Sequence, residues 1–225
     1  MSKKVSGSFI FAKNLAMETN KIPVSIYAEM TPNPAVLKFV ANKRLIELDS
    51  VEFRNIEEAK PSPLATRLFH FPFVKEIFIS ANYIAISKFD IVEWEEVTLE
   101  LRELIRDFLQ EGNQVLDESA LIQKEESTEA KESIGAIHPE EKPQENWEEI
   151  DKKIVELLDE YVKPAVANDG GNIKFLDHQE GVVSVLLQGA CSGCPSSTAT
   201  LKGGIESMLK QMLPGQIKEV VAVNG

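Results

Sequence analysis

The sequence predicts an α+β protein: two small α/β modules joined by an acidic, flexible linker. Three observations predict it. Apolar runs of strand length alternate with amphipathic helical stretches over residues 22–112, and again over 146–225. Between them, residues 113–145 carry nine acidic residues against three lysines, a net charge of −6, with no aromatic residue and with Pro139 and Pro143 near the end. Such a stretch buries too little apolar area to offset its ordering entropy.

Within the first module, "VSIYAEM" (24–30) alternates as a strand. "TPNP" (31–34) forces an extended, turned connection. "AVLKFV" (35–40) and "RLIEL" (44–48) read as the next two strands, and Asn55 with Glu58 reads as a capping box for a short helix. In "SPLATRLF" (62–69), Ser62 is a cap and Pro63 takes the first helical position. "VKEIFIS" (74–80) and "YIAIS" (83–87) form a hairpin turning at Ala81-Asn82. Trp94, Val97, Leu101, Leu104, Ile105 and Phe108 share one face of a helix that stops before Gly112. The module has no cysteine, and His70 has no partner at ligand spacing.

The second module has the predicted order α-β-β-α-β, with a CxxC loop before its second helix. Asn146, boxed with Glu149, caps "WEEIDKKIVELLDEYV", whose buried stripe is Ile150, Ile154, Leu157, Leu158 and Tyr161. Pro164 stops the regular helix, and "NDGGN" (168–172) is a glycine turn. "IKFLDH" (173–178) and "VVSVLLQG" (182–189) pair around Gln179-Glu180-Gly181. After the loop, a helix buries Leu201, Ile205, Met208, Leu209 and Met212 and ends at Pro214-Gly215, and "IKEVVAV" (217–223) is the last strand.

Composition excludes several classes of function. The chain has 225 residues, 43% of them hydrophobic, and a net charge of −12. Nucleic acid and anionic membrane surfaces both need clustered Lys and Arg, so neither is an expected partner. No apolar run approaches the roughly 20 residues that span a bilayer. Residues 1–21 are acid-poor and contain serines, but hold no Arg and only a short apolar patch, Phe9-Ile10-Phe11-Ala12. They read as a flexible tail on a cytoplasmic protein, with organelle import the alternative.

Both cysteines of the chain lie in "GACSGCPSS", as Cys191 and Cys194. Pro195 suits the first position of a helix, so Cys194 falls near the N-cap, where free N–H groups and the helix dipole lower a thiol pKa. Ser196, Ser197 and Thr198 are cap candidates. Spacing alone leaves a buried structural thiol pair, a dithiol oxidoreductase, zinc or an iron–sulfur cluster open. Structural zinc and the common clusters want four ligands, and this chain supplies two thiols. His178, at the end of a hairpin strand, reads as a surface side chain. A second copy of the chain would complete the set, making Cys191 and Cys194 a half-site.

The segment from Asp169-Gly170-Gly171 through Gly189-Ala190-Cys191-x-Gly193-Cys194-Pro195-Ser196-Ser197 to Thr200-Leu201-Lys202-x-Gly204-Ile205-Glu206 resembles the NifU C-terminal domain of iron–sulfur cluster carriers. "TPNPAVLKFV", "SPLATRLF", "VKEIFISANYIAISK" and the Trp94 helix are similar to the Nfu N-terminal domain. The resemblance implies a non-enzymatic scaffold that binds a cluster, [4Fe–4S] rather than [2Fe–2S], through Cys191 and Cys194 of two protomers. It implies a homodimer when loaded, apo iron–sulfur proteins as acceptors, and upstream assembly machinery as the source. The alternatives are a CxxC thiol–disulfide oxidoreductase and a zinc-bridged structural dimer.

Overall fold

A computed structural model describes residues 23–117, 144–192 and 195–224, except for the side chains of residues 144 and 195–197. The expected tail, most of the acidic linker, and residues 193 and 194 lie outside the described residues.

The first module is an antiparallel sheet of five strands with two helices on one face. Its strands are β1 (Ile26–Met30), β2 (Val36–Ala41), β3 (Ser50–Phe53), β4 (Val74–Ser80) and β5 (Tyr83–Lys88), in the order β1-β2-β5-β4-β3. Thr31 Oγ1 donates to the Val36 carbonyl at 3.0 Å and pins the turn between β1 and β2. The helices are α1 (Pro63–Leu68) and α2 (Trp94–Gln110). Ser62 caps α1 through the Ala65 N–H at 3.1 Å, as the sequence predicts. Leu37, Phe39, Ile77, Ile79, Ile84 and Ile86 point to the helices and pack on Leu64, Leu68, Leu101, Ile105 and Phe108.

Two sequence expectations for this module fail. "RLIEL" is not a strand, because Arg44 folds back onto the Ile46 and Glu47 carbonyls at 2.8 and 2.9 Å. The segment is an irregular crossing that carries the chain to β3 on the far edge, where it pairs with β4. Asn55 and Glu58 do make their reciprocal hydrogen bonds, but around turns rather than a helix. The first residues of the predicted linker pack with the first module. Val115 and Leu116 are buried in the first core, and the Asp117 N–H donates to the Pro61 carbonyl at 2.7 Å.

The second module has three strands, β6 (Gly171–Gln179), β7 (Val182–Gly189) and β8 (Glu219–Asn224), in the order β6-β7-β8. β6 pairs antiparallel with β7, and β8 pairs parallel with β7 after the crossover helix α5 (Pro195–Met212). Before the sheet comes α3 (Glu149–Leu157), then a π turn over Leu158–Val162, then α4 (Lys163–Asn168). Pro164 therefore does not end the helix. The π turn absorbs the hydrogen bond that proline cannot donate, and the chain stays helical to Asn168. The same turn rotates the face: Tyr161 is 53% exposed and Val162 is buried in its place.

The N-cap of α3 is Glu148 rather than Asn146, because the fully buried Asp151 accepts the Glu148 N–H at 2.8 Å. At the end of α5, Met212 is exposed and Leu213 enters the core instead. The module thus runs α3, the π turn and α4, then β6, β7, α5 and β8.

Leu101 is fully buried at the middle of α2. Leu101→Ala should cost about 2–5 kcal/mol of stability through lost burial and a residual cavity. Urea unfolding followed by tryptophan fluorescence should show the midpoint falling with the slope unchanged.

Candidate functional site

Where β7 ends, Gly189 takes a φ of +66° and the chain turns into the cysteine loop. The Ala190 N–H donates to the Gly170 carbonyl at 3.2 Å, and Ser192 reaches the Gly189 carbonyl with both its N–H (3.1 Å) and its Oγ (2.9 Å). Thr198 is not a simple cap. Its Oγ1 donates back to the Cys191 carbonyl at 3.2 Å and ties the first turn of α5 to the loop. Gly171 stands directly against the cysteine: a Cβ there would lie 2.8 Å from Cys191 Sγ and 2.6 Å from the Gln188 carbonyl. The glycine pair therefore lets the start of β6 press against the loop at backbone distance.

Cys191 is buried, with 7% of its surface exposed. Burial, and then the negative charge of Asp169, push its thiol up to about 11. The lowering expected at a helix N-terminus concerns Cys194 at the N-cap, and Cys191 stands further from the helix. The dipole acts within the first turn, and Cys191 precedes Pro195 by four residues, so desolvation decides. Cys194 lies outside the described residues.

His178 is not the surface side chain expected from the sequence. Its side chain is 13% exposed, and Nδ1 lies 3.5 Å from Asp151 Oδ1. It sits opposite Val183, at the far end of β6 from Gly171. Seven residues of strand put it roughly 23 Å along the sheet from the loop, out of ligand range. His70 belongs to the first module, with Nδ1 2.8 Å from the Thr66 carbonyl. Among the described residues, no three His, Cys, Asp or Glu side chains converge to hold a metal ion.

The first module meets this loop with the sheet face that its helices leave free. Tyr83 Oη donates to the Gly171 carbonyl at 2.7 Å, next to the cysteine in the loop. Burial raises the Tyr83 pKa, and the charge of a Cys191 thiolate adds to the rise. Glu52 Oε1 accepts the Gly189 N–H at 3.0 Å, and burial raises its carboxyl above the ordinary range despite that bond. Asn172 Nδ2 donates to Asp49 Oδ2 at 3.0 Å and to Ser50 Oγ at 2.9 Å. Lys163 pairs with Asp49 at 3.0 Å. Burial alone would raise the Asp49 pKa, but the Lys163 and Asn172 bonds outweigh it and hold the carboxyl low. Lys38 donates to the Asn168 carbonyl at 3.1 Å, a cation placed at the end of α4. Ala190 packs with Val36, Val40, Phe78, Tyr83 and Ala85.

Sequence reasoning missed this whole contact. The available signal was the sequence of β2, VLKFVA, which is apolar at every position but Lys38 instead of alternating. A strand that is apolar on both faces belongs to a sheet covered on both sides.

Two family models match the chain, in the order that the motifs predict. Residues 26–112 match the scaffold protein Nfu/NifU N-terminal model, and residues 154–221 match the NifU-like domain. Together they cover more than half of the sequence. The chain belongs to the Nfu/NifU scaffold family. This Nfu chain is similar to NifU-like protein 5, mitochondrial, of Arabidopsis thaliana: 36% identical over 186 residues, 82% of this chain and 62% of the relative. NifU-like protein 4, mitochondrial, of the same plant is 35% identical over 187 residues, 82% of this chain and 61% of the relative. The NFU1 iron-sulfur cluster scaffold homolog, mitochondrial, of Drosophila sechellia is 36% identical over 190 residues, 84% of this chain and 62% of the relative. The chain thus spans under two thirds of the length of these relatives.

A thiol held at about 11 in the fold and nearer its ordinary value of 9.0 when unfolded favours the protonated state on folding. Its contribution is present below pH 9 and is lost as pH rises toward 11. In the metal-free chain, alkylation of Cys191 by iodoacetamide, mapped by peptide mass, should climb steeply between pH 9 and 11. At pH 8 it should run about two orders of magnitude slower than for a free cysteine. A rate that saturates near pH 8 would contradict the buried thiol.

Proposed function

We propose that this Nfu chain is a carrier that takes an iron–sulfur cluster as cargo and passes it to apo-proteins. Cys191 and Cys194 of two protomers hold the cluster, and each chain contributes a half-site. The observation that carries the reading is the two-thiol loop itself. It stands at the start of a long helix, against a glycine pair, in a chain whose sequence holds no third thiol. Four thiolates suit a [4Fe–4S] cluster, which we favour over [2Fe–2S].

Transfer is ligand exchange rather than catalysis. Acceptor thiols give up protons as they bind iron, the released cysteines of the carrier take protons, and the iron, sulfide and electrons of the cluster pass across unchanged. Residues 146–225 are the scaffold domain, 22–112 the accessory domain that recognises acceptors, and 113–145 a tether between them. Homodimerisation accompanies loading, and an upstream assembly system supplies the cluster. A reducing compartment keeps the thiols competent. We place the chain in the cytoplasm, and the mitochondrial relatives support an organelle matrix as the second reading.

Anaerobic reconstitution with iron and sulfide tests this. The wild-type chain should take up about four iron and four labile sulfide per dimer. Cys191→Ser and Cys194→Ser should each lose the cluster and the dimer together. Full loading of a monomer, or no loading at all, would end the shared-site reading.

A further inference from the structure

We propose that the first module is an intramolecular cover for the cysteine loop, and that it must lift away before a second protomer or a cluster can reach Cys191. This rests on the shared half-site reading above. Two loops that share a cluster must face one another. In the single chain, the described stretch that enters this loop, Gly189 and Ala190, already faces the first module. Tyr83 seals the Gly171 carbonyl beside the thiol, Glu52 holds the Gly189 N–H, and Ala190 sits in an apolar pocket formed by Val36, Val40 and Phe78. Cys191 itself packs in the core of the second module and is little exposed, and the first sheet lies over its backbone neighbours Gly189, Ala190 and Gly171. The loop cannot turn outward to a partner while the sheet stays down.

The contact has the composition of one that opens. Its apolar centre is small, and among the described residues its rim holds hydrogen bonds and the ion pair of Lys163 with Asp49. That pair has side-chain exposures of 32% and 52%, so salt screens it and its contribution is modest. Interfaces of this kind between domains of one chain permit relative motion. The covalent connection permits it too: 26 residues separate Asp117 from Gln144, a contour of up to roughly 86 Å. The cover and the second protomer thus compete for one face of the loop. The polar rim keeps the metal-free chain closed, and four new iron–thiolate bonds favour the open, paired form.

The test uses the full chain. In metal-free protein at low salt, two readouts are followed: peptide-mapped alkylation of Cys191, and amide hydrogen exchange over 186–192. Asp49→Lys turns the ion pair into a repulsion and removes the carboxylate that accepts from Asn172. It should raise both readouts at least about fivefold, while exchange around Leu101 and Ile205 stays at the wild-type value. Adding Lys163→Asp restores opposite charges and should bring both readouts back toward wild type. If Asp49→Lys unfolds the chain, Tyr83→Phe decides, because it removes one hydroxyl and leaves the ring; it should raise both readouts about twofold or more. Unchanged readouts in the folded variant, or a charge swap that stays as fast as Asp49→Lys, would overturn the proposal. Reconstituted wild type adds a third arm: loading should deprotect residues 36–40 and 78–85, and continued protection there would also overturn it. Failure to load any cluster would instead sink the carrier reading, and the metal-free readouts would still decide the cover.

Discussion

One close approach organises the functional end of this protein: the backbone of Gly171 against Cys191. A side chain at 171 would run into both the cysteine sulfur and the Gln188 carbonyl. Because none is there, β6 pairs with β7 through its first residue, Gly171 opposite Gly189. The loop that follows is folded tightly back on the strand, and the Gly171 carbonyl is left for Tyr83. Ladder, loop and module contact all pass through this point. The thiol is buried as a consequence, and its raised pKa follows from that burial rather than from any helix dipole.

The first sheet depends on the same contact from the other side. Alternation gives each strand two faces. Leu37, Phe39, Ile84 and Ile86 serve the helix-covered core, while Val36, Val40, Tyr83 and Ala85 serve the second module. Charged and polar residues on that outer face are spent on specific partners: Lys38 on the end of α4, Glu52 on Gly189, and Asp49 on Lys163 and Asn172. The face carries a small apolar centre with polar contacts around it. Such surfaces give orientation at modest strength.

Much of the architecture was legible. The Ser62 cap, the β4–β5 hairpin, the α2 stripe and the β6–β7 hairpin rest on local signals that act within a few residues, and all four appear as read. The misread elements share a cause. "RLIEL" has strand composition, but its place in the sheet is decided by where β3 must go. Asn146 is a good cap, but the buried Asp151 draws the cap to Glu148. Pro164 is a helix breaker that a π turn accommodates, because Val162 and Val166 still gain burial on the far side of it. In each case tertiary burial outweighed a local preference, worth about 1 kcal/mol for the cap and about 3 kcal/mol for the proline.

By itself the sequence determined the chemistry available to this protein. Two thiols, three residues apart, supply two of the four ligands that the common clusters want, and the motifs around them carry the family. Tertiary structure alone decided the surroundings of Cys191. Burial of Cys191, the distance that removes His178 from the site, and the sheet face lying over the loop all come from residues far apart in the chain. Desolvation and long-range contacts depend on three-dimensional neighbours, and no local pattern in the sequence encodes which neighbours those will be.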